Sequence, residues 1–329
     1  MTPRRKRALL LTVLVVVGFA GFLASLLIGP VPTGLGDLWR LLRGGDKDLA
    51  ALVVDLRLSR ALLAFFVGAG LALAGAILQG FFQNPMADPF VLGVSSGASF
   101  GAVLSIQLGL GVSVLGFSFQ SLFAFGAGFL IVAFIYILSR RRGALKVETL
   151  LLTGIALGAL ASALTSFLLF LRTDSFEQAV FWLLGSFALA EWNQVGVVAP
   201  YVLASLLIGQ WLARDMNLLA LGDETARSLG CPVERIRAGF LVLATVLAAS
   251  AVSVSGVIGF VGLIVPHWVR IWIGPDHRYL FPYAALTGGV FLVFCDLAAR
   301  ALLPATELPI GIITAAAGAP FFVYLLHRK

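Results

Sequence analysis

Charged residues and cysteines are scarce in this chain. Asp, Glu, Lys and Arg make up 12% of the 329 residues, whereas 60% are hydrophobic and the mean hydropathy is +1.02. A soluble domain cannot hide so much apolar surface from water, so the composition excludes a soluble enzyme and predicts a polytopic membrane protein surrounded by lipid. Cys231 and Cys295 are the two cysteines, and they fall on a predicted loop and inside a predicted span, which excludes a disulfide framework.

Residues for metal and nucleotide chemistry are also few. The three histidines are His267, His277 and His327, and no cysteine or carboxylate repeats beside them at ligand spacing, which favours interfacial or loop positions over a metal site. The chain has no Gly-x-x-x-x-Gly-Lys-Ser/Thr loop for the phosphates of ATP. We therefore expect no catalytic residue, no bound metal and no cofactor on this chain.

Long apolar runs are what the chain has in abundance. Nine segments are each about as long as one helical crossing, roughly 20 residues. They lie near residues 8–28, 61–82, 92–115, 119–138, 150–171, 195–212, 236–255, 280–301 and 308–326. A shorter run covers residues 256–266, and a crossing there places both termini and most of the 23 Lys and Arg residues on the cytoplasmic side.

The sequence therefore predicts an all-α fold of ten transmembrane helices, with residues 1–329 forming a single domain in the cytoplasmic (inner) membrane. The net charge of +7 is divided among loops and forms no stripe, so it reflects topology and does not indicate nucleic-acid binding. Residues 75–85 and 256–266 share the same Gly-to-Pro spacing and enter the membrane from opposite sides. This match predicts an inverted-repeat bundle, with chance similarity in a chain of 36 Gly and 13 Pro as the alternative.

One charged, amphipathic insert interrupts the apolar runs at about residues 214–237. Asp223 is placed to cap a helix with Glu224 in its first turn, and Gly230 followed by Pro232 ends it. The insert is too polar for the interior of a bilayer. We predict a short helix on the cytoplasmic membrane surface that a soluble partner can bind.

Three arginines lie on the predicted outer side, against the positive-inside trend. Arg57 and Arg60 precede the second span, and Arg300 ends the ninth. They can solvate helix ends, or they can receive carboxylates of a soluble partner through bidentate hydrogen bonds, which is the interpretation we favour. Asp296 stands four residues before Arg300, so a local ion pair competes for that arginine.

A rigid turn is predicted at the inner edge of the second span. Pro85 and Pro89 stand four residues apart and cannot continue a helix. One interpretation is purely structural, in which the turn only ends the helix. As function, the projecting side chains of Asn84 and Met86 would narrow a central passage.

Taken together, these motifs resemble the permease subunits of the ATP-driven importers for vitamin B12, iron siderophores and haem. The matching segments are residues 57–60, Gln79, 84–89, 92–93, 222–230, 256–267, Arg270, 276–278, 296–300, 307–311 and 318–322. They occur in order from residue 57 nearly to the C terminus. Met86 stands where that family more often has leucine, and Ser59 where it often has proline.

The resemblance implies a homodimer or close heterodimer of permeases, with the passage along its two-fold axis, two ATPase subunits and a soluble substrate-binding protein. Arg57, Arg60 and Arg300 would receive acidic residues from the binding protein. The residues implied to contact a groove of the ATPase are Gly222, Asp223, Glu224, Thr225, Ala226, Leu229 and Gly230. The implied cytoplasmic gate consists of Asn84, Pro85, Met86, Val147 and Glu148.

The cargo is the least specified property. The resemblance favours an iron chelate, either a siderophore or haem, over vitamin B12 as the alternative chelated-metal substrate. Arg172 and Trp182 can contact cargo at the outer mouth or serve as membrane-interface residues. Two other classes of protein are alternatives. An ion-coupled carrier or channel would show ionisable residues deep in several spans, and an embedded lipid-phosphate enzyme would cluster carboxylates or histidines at one face. Neither alternative explains the charged insert.

Overall fold

Helices account for nearly all of the regular structure. The computed structural model describes residues 3–29, 33–43, 48, 51–110, 113–114, 117–141, 144–171, 175–303 and 306–327, so Arg172 lies outside the described residues. The helices are α1 (Pro3–Leu27), α2 (Leu35–Leu42), α3 (Ser59–Phe81), α4 (Val94–Gln107), α5 (Phe119–Ser139), α6 (Val147–Leu171), α7 (Phe176–Leu183), α8 (Trp192–Trp211), α9 (Ala213–Leu219), α10 (Asp223–Ser228), α11 (Val233–Ser255), α12 (Val261–Ile273), α13 (His277–Ala301) and α14 (Ile310–His327).

Six short elements complete the connections. A π-helical segment, Ala51–Leu58, leads directly into α3, and a 3₁₀ helix, Pro89–Leu92, precedes α4. Two antiparallel pairs of two-residue strands join α4 to α5 and α5 to α6. They are β1 (Ser113–Val114) with β2 (Phe117–Ser118), and β3 (Arg140–Arg141) with β4 (Ala144–Leu145).

The predicted all-α membrane fold is confirmed. Among the described residues, seven helices are long and apolar enough to cross a membrane, namely α1, α3 with its π-helical extension, α5, α6, α8, α11 and α13. They have 20 to 30 residues, which corresponds to about 30–45 Å at 1.5 Å per residue. Helices also occur at the three remaining predicted spans, as α4, α12 and α14. Because α4 and α12 are only 14 and 13 residues long, the count of ten crossings stays a prediction.

Helix α3 forms the centre of the bundle. In its most apolar stretch 83% of the residues are buried, against 22% in α1, α5 and α6, whose apolar faces are left for lipid. Small residues let the neighbouring helices approach closely. A methyl group added at Gly68 would overlap the carbonyl oxygen of Gly288 in α13, and one added at Gly75 would overlap that of Gly262 in α12.

Helices α3 and α13 run antiparallel and define the two ends of the bundle. The side chain of Arg60 meets that of Asp296 at one end, and Gly80 lies against His277 at the other. The charged insert, α9 and α10, also packs at the Gly80 end, which we name the insert end. The end that carries Arg60 and Asp296 is named the arginine end.

The two segments with equal Gly-to-Pro spacing differ in local structure. Gly75 lies inside α3 and Pro85 lies in the turn beyond it, whereas Gly256 ends α11 in a positive-φ conformation and Pro266 lies inside α12. A residue that continues a helix does not correspond to one that ends it. The spacing match therefore does not mark equivalent elements, and these segments give the predicted inverted repeat no support.

Candidate functional site

The insert contains the predicted surface helix, with one correction to its start. Helix α10 begins at Asp223 and ends at Ser228, and Gly222 and Gly230 flank it with φ of 100° and 82°. Asp223 is thus the first helical residue and not the cap, and the predicted cap is wrong. Its carboxylate instead pairs with Arg237 of α11, whose Nη2 lies 2.7 Å from Asp223 Oδ1.

One face of α10 packs inward and the other is open. Ala226 is fully buried against Leu219, Cys231 and Val233. Ala226 therefore does not lie on the face available to a partner, contrary to its place in the predicted ATPase contact. The exposed residues of the predicted set are Glu224, Thr225, Leu229 and Gly230, and Gly222 and Asp223 are half-buried.

Polar contacts attach the insert to the ends of α3 and α13. The amide Nε2 of Gln83, two residues beyond α3, donates to the carbonyl oxygen of Leu219 at 2.6 Å. Asn217 donates through Nδ2 to Asp276 Oδ1 at 2.7 Å and accepts from the backbone N–H of His277 at 3.0 Å. These hydrogen bonds join α9 to the turn after α3 and to the start of α13.

A second attachment reaches the start of α6 through Glu234. Its Oε1 pairs with Nη2 of Arg227 in α10 at 3.0 Å, and its Oε2 accepts from the backbone N–H of Leu145 at 3.2 Å. Leu145 stands two residues before Val147, where α6 begins. One carboxylate on α11 therefore joins α10 to the segment that leads into the predicted gate at Val147 and Glu148.

The predicted rigid turn after α3 is present. Helix α3 ends at Phe81, and Gln83 takes the left-handed conformation with φ of 50°. Asn84 Oδ1 accepts from the backbone N–H of Met86 at 2.9 Å, and Asp88 Oδ1 accepts from that of Phe90 at 2.9 Å. Burial raises the pKa of Asp88 to about 6.

The residues of the predicted gate all lie at the insert end. Asn84 is exposed, and Pro85 and Met86 line a narrow crevice against α12 and α14, with Phe321 and Phe322 on its other wall. Val147 is half-buried and Glu148 is exposed at the first turn of α6. Farther along the same helix, Gly154 packs against the carbonyl of Val91 in the 3₁₀ helix, so α6 and the segment after the turn are neighbours.

The three predicted docking arginines lie within a hydrogen-bonded cluster at the arginine end. Arg60 pairs with Asp296 at 2.9 Å and with Glu307 at 2.9 Å. Arg300 pairs with the other oxygen of Asp296 at 3.1 Å and donates to Ser25 Oγ at 2.6 Å. The predicted Asp296–Arg300 pair is confirmed.

Arg57 is also engaged within the subunit. It donates through Nη1 to Thr33 Oγ1 at 2.6 Å and to the carbonyl oxygen of Leu26 at 2.7 Å. Arg57 and Arg60 are buried, whereas the Glu307 side chain keeps 33% of its surface exposed. A carboxylate from a partner must therefore compete with Glu307 for Arg60, and the docking role of the arginines stays a prediction.

Within the part of the chain that the structure describes, no three His, Cys, Asp or Glu residues come together as a metal-binding group. His277 is buried beside Asn217, and His267 lies near Phe321. The polar groups that the fold brings together hold helix ends and connections in place.

A bundle of apolar helices with a small polar insert anchored at one end defines a multi-pass membrane protein. The chain belongs to the FecCD transport family, which matches residues 14–328. It is thus the permease of an ABC importer, a multi-pass inner-membrane protein of a class that works with ATPase and binding-protein partners.

Two relatives and one solved structure illustrate the similarity. The cobalamin import system permease protein BtuC of Halobacterium salinarum is 47% identical over 290 residues, which cover 88% of this chain and 77% of that protein. The hemin transport system permease protein HmuU of Yersinia pestis is 37% identical over 328 residues, covering 99% and 96%. A metal-chelate type ABC transporter solved in an inward-facing conformation superposes with a TM-score of 0.87 at 33% identity, covering 98% and 99%.

Proposed function

We propose that this chain moves an iron chelate, a siderophore or haem, from a soluble binding protein into the cytoplasm. It works as a homodimer of permeases with two ATPase subunits, which hold the ATP and Mg²⁺, and the permease itself holds no cofactor. The observation that carries the proposal is the insert: α10 offers an exposed face to a partner, and hydrogen bonds at Leu219 and Glu234 join the insert to Gln83 and Leu145, which adjoin the two predicted gate segments. The similarity to a haem permease and to a metal-chelate transporter supports the cargo class.

Vitamin B12 is the second candidate cargo. The observation that favours it is the 47% identity to a cobalamin permease, which exceeds the 37% identity to the haem permease. Both cargoes are large chelates, so the same route and the same ATPase contact serve either one.

The proposed topology places the insert end in the cytoplasm together with both termini. Residues 1–329 then form one permease domain, with the coupling insert at about 214–237. The arginine end faces outward, where a binding protein would approach. Lys and Arg residues concentrate at the proposed cytoplasmic side, which agrees with the positive-inside rule.

We propose that the ATPase moves α10 and that two sets of hydrogen bonds pass this movement to the gate segments. The bond from Gln83 to Leu219 connects the insert to the gate turn at Asn84, Pro85 and Met86. The bonds of Glu234 connect α10 to Leu145, two residues before the predicted gate residues Val147 and Glu148 at the start of α6. In a two-fold dimer each gate turn would face its copy across the axis, which narrows the passage at the cytoplasmic side.

Docking is proposed to use the arginine cluster by exchange of carboxylates. Glu307 is the exposed acidic partner of Arg60, so an acidic residue of a binding protein can replace it without leaving Arg60 unpaired. Asp296 is buried and holds both Arg60 and Arg300. It keeps the two cations in place while the outer partner changes.

Reconstitution tests the proposal. The purified permease is combined with its ATPase and binding protein in proteoliposomes, and uptake of ⁵⁵Fe-siderophore, haem and cyanocobalamin is measured with and without ATP. We expect ATP-dependent uptake of a chelate and a stable complex with the ATPase. A permease that binds no ATPase, or that gives no ATP-dependent uptake of any of these chelates, would refute the proposal.

A further inference from the structure

A cleft of about 430 Å³ opens at the arginine end of the bundle. It lies between the start of α5, helix α7, the segment that leads to α8 and the end of α11. Ser186 in its wall donates its backbone N–H to the carbonyl oxygen of Ser255 at 2.9 Å, and Gly185 beside it accepts from Ile310 at the start of α14 at 2.9 Å. The cleft therefore stands beside the connection that carries Glu307, far from the insert.

Hydroxyl and amide groups dominate the polar part of this cleft. The floor carries the buried residues Ser253 and Ser255, and the rim carries the amides of Gln120 and Gln178. Phe181 and Trp182 supply aromatic surface. Among the described residues that line the cleft, Glu191 is the one ionisable side chain, and none is a lysine or an arginine.

The two rim amides are available to a ligand. Gln120 and Gln178 make no hydrogen bond to other residues in the described part of the chain, whereas Gln194, deeper in the wall, accepts from the backbone N–H of Glu191 at 3.2 Å. Each free amide offers two N–H donors and one carbonyl acceptor. The rim thus presents uncharged donors and acceptors beside two aromatic rings.

This chemistry discriminates between chelates by charge. The volume lies within the range of about 300–1,000 Å³ that is usual for small-molecule sites. A polycarboxylate chelate would bring anionic groups to a wall with Glu191 and no described cation, and a desolvated charge without a partner is costly. Amide, hydroxyl or hydroxamate groups of an uncharged chelate would find matching hydrogen-bond partners there.

We propose that the cleft is a receiving site for uncharged chelates that carry amide, hydroxyl or hydroxamate groups, and that it disfavours polyanionic chelates. This inference rests on the proposed import function and specifies the cargo at the outer mouth. The Gln178 amide is the main determinant, because it lies on α7 at the rim of the cleft and has no hydrogen bond to another residue in the described part of the chain. The face of Trp182 packs against the apolar part of the chelate.

The test measures equilibrium binding to the permease–ATPase complex without the binding protein, whose own selectivity would otherwise dominate. The probes are ⁵⁷Co-cyanocobalamin, a neutral ⁵⁵Fe-trihydroxamate and ⁵⁵Fe-citrate. The wild type should bind at least one uncharged probe more tightly than ⁵⁵Fe-citrate. Gln178→Leu should weaken that binding about fivefold, the value of one neutral hydrogen bond.

Two further variants complete the experiment. Gln178→Lys should raise the affinity for ⁵⁵Fe-citrate, because it places a cation in the cleft. Glu177→Gln, the neighbouring residue on α7 that does not line the cleft, should leave all three affinities unchanged. The inference is overturned if wild type binds ⁵⁵Fe-citrate as tightly as the uncharged probes, or if Gln178→Leu behaves like Glu177→Gln.

Failure of this inference is distinct from failure of the import function. If proteoliposomes show ATP-dependent uptake but the Gln178 variants keep wild-type affinities, the chelate is received elsewhere and the import function stands. If no chelate is taken up with ATP, the import function itself fails. Preferred binding of haem, with its two carboxylates, would overturn the inference in the same way as tight binding of ⁵⁵Fe-citrate and would leave the import function standing.

Discussion

Removing the side chain of Glu234 should separate ATP hydrolysis from transport. Glu234 pairs with Arg227 of α10 through one oxygen and accepts from the Leu145 N–H through the other. In Glu234→Ala both contacts are lost, while the exposed face of α10 that is proposed to contact the ATPase is unchanged. We expect the ATPase still to assemble with the permease and to hydrolyse ATP. Movement of the insert should be coupled less tightly to the start of α6.

The two contacts of Glu234 differ in strength, which sets the expected magnitude. Arg227 and Glu234 have side chains that are 54% and 37% exposed, so their ion pair is screened and contributes less than about 1 kcal/mol. The bond from Leu145 has a charged acceptor and is worth about 1.5 kcal/mol, which corresponds to roughly a tenfold change in a two-state population. Transport per ATP hydrolysed should therefore fall about tenfold in Glu234→Ala.

Glu234→Gln is the matched control. The amide oxygen still accepts from the Leu145 N–H, while the charge that Arg227 pairs with is gone. Transport per ATP should fall by less than about threefold, because only the weaker contact and the charge assistance are lost. The assay measures chelate uptake and phosphate release in the same proteoliposomes, so that the ratio is independent of the amount of protein inserted.

Two results would contradict this reasoning. If Glu234→Ala keeps the wild-type ratio of uptake to hydrolysis, the bond to Leu145 transmits nothing to α6. If Glu234→Gln is as defective as Glu234→Ala, the charge is what matters and the backbone contact is incidental. Loss of ATPase assembly in either variant would also refute it, since that outcome places Glu234 in the contact with the ATPase.

Four further predictions concern the gate turn and the arginine cluster. Met86→Cys, in a background without the native cysteines, should crosslink between the two subunits and arrest uptake until reduced; absence of crosslinking in every nucleotide state would exclude the gate role. Glu307→Gln should raise binding-protein affinity about fivefold by removing the internal competitor for Arg60, as a binding-protein titration would measure. Asp296→Asn should lower the free energy of unfolding by about 3 kcal/mol in thermal denaturation, because the buried Arg300 loses its carboxylate and Arg60 keeps only Glu307. Asp88 has a folded-state pKa of about 6, above its ordinary value of 3.8, so the folded state binds a proton more tightly than the unfolded state. The free energy of unfolding should therefore decrease as the pH rises from about 4 to above 6. Asp88→Asn should flatten this pH dependence, which is measured as the melting temperature.

The membrane fold was predictable because a bilayer leaves few choices. Backbone groups in lipid must bond within a helix, so runs of apolar residues locate the helices almost directly. The turn after α3 was predictable for a similarly local reason, since Pro85 and Pro89 determine where a helix cannot continue. Helix α12 was the ambiguous case, because a 13-residue helix that starts beyond Gly256 has neither the length nor the flanking charges of an ordinary span.

The contacts that organise the candidate site could not be predicted from the sequence, because most of them join residues that are far apart in the chain. Arg60 is separated by 236 residues from Asp296 and by 247 from Glu307, and no local pattern encodes partners so far apart. The Asp223 cap failed because Arg237, 14 residues later, competes successfully for the carboxylate. Ala226 was assigned to the wrong face because a six-residue helix shows too few periods to distinguish its inward side.

The attachments of the insert also explain why its helix can be so short. Six residues are too few for an isolated helix to persist in water, so α10 must be held by its surroundings. Ala226 packs it inward, and Asp223 and Arg227 tie its two ends to Arg237 and Glu234 on α11. Because both ion pairs end on the same helix, we expect α10 to stay close to the start of α11 when the insert moves. Displacement of the exposed face of α10 would then reach α11 and, through the bond from Leu145 to Glu234, the start of α6.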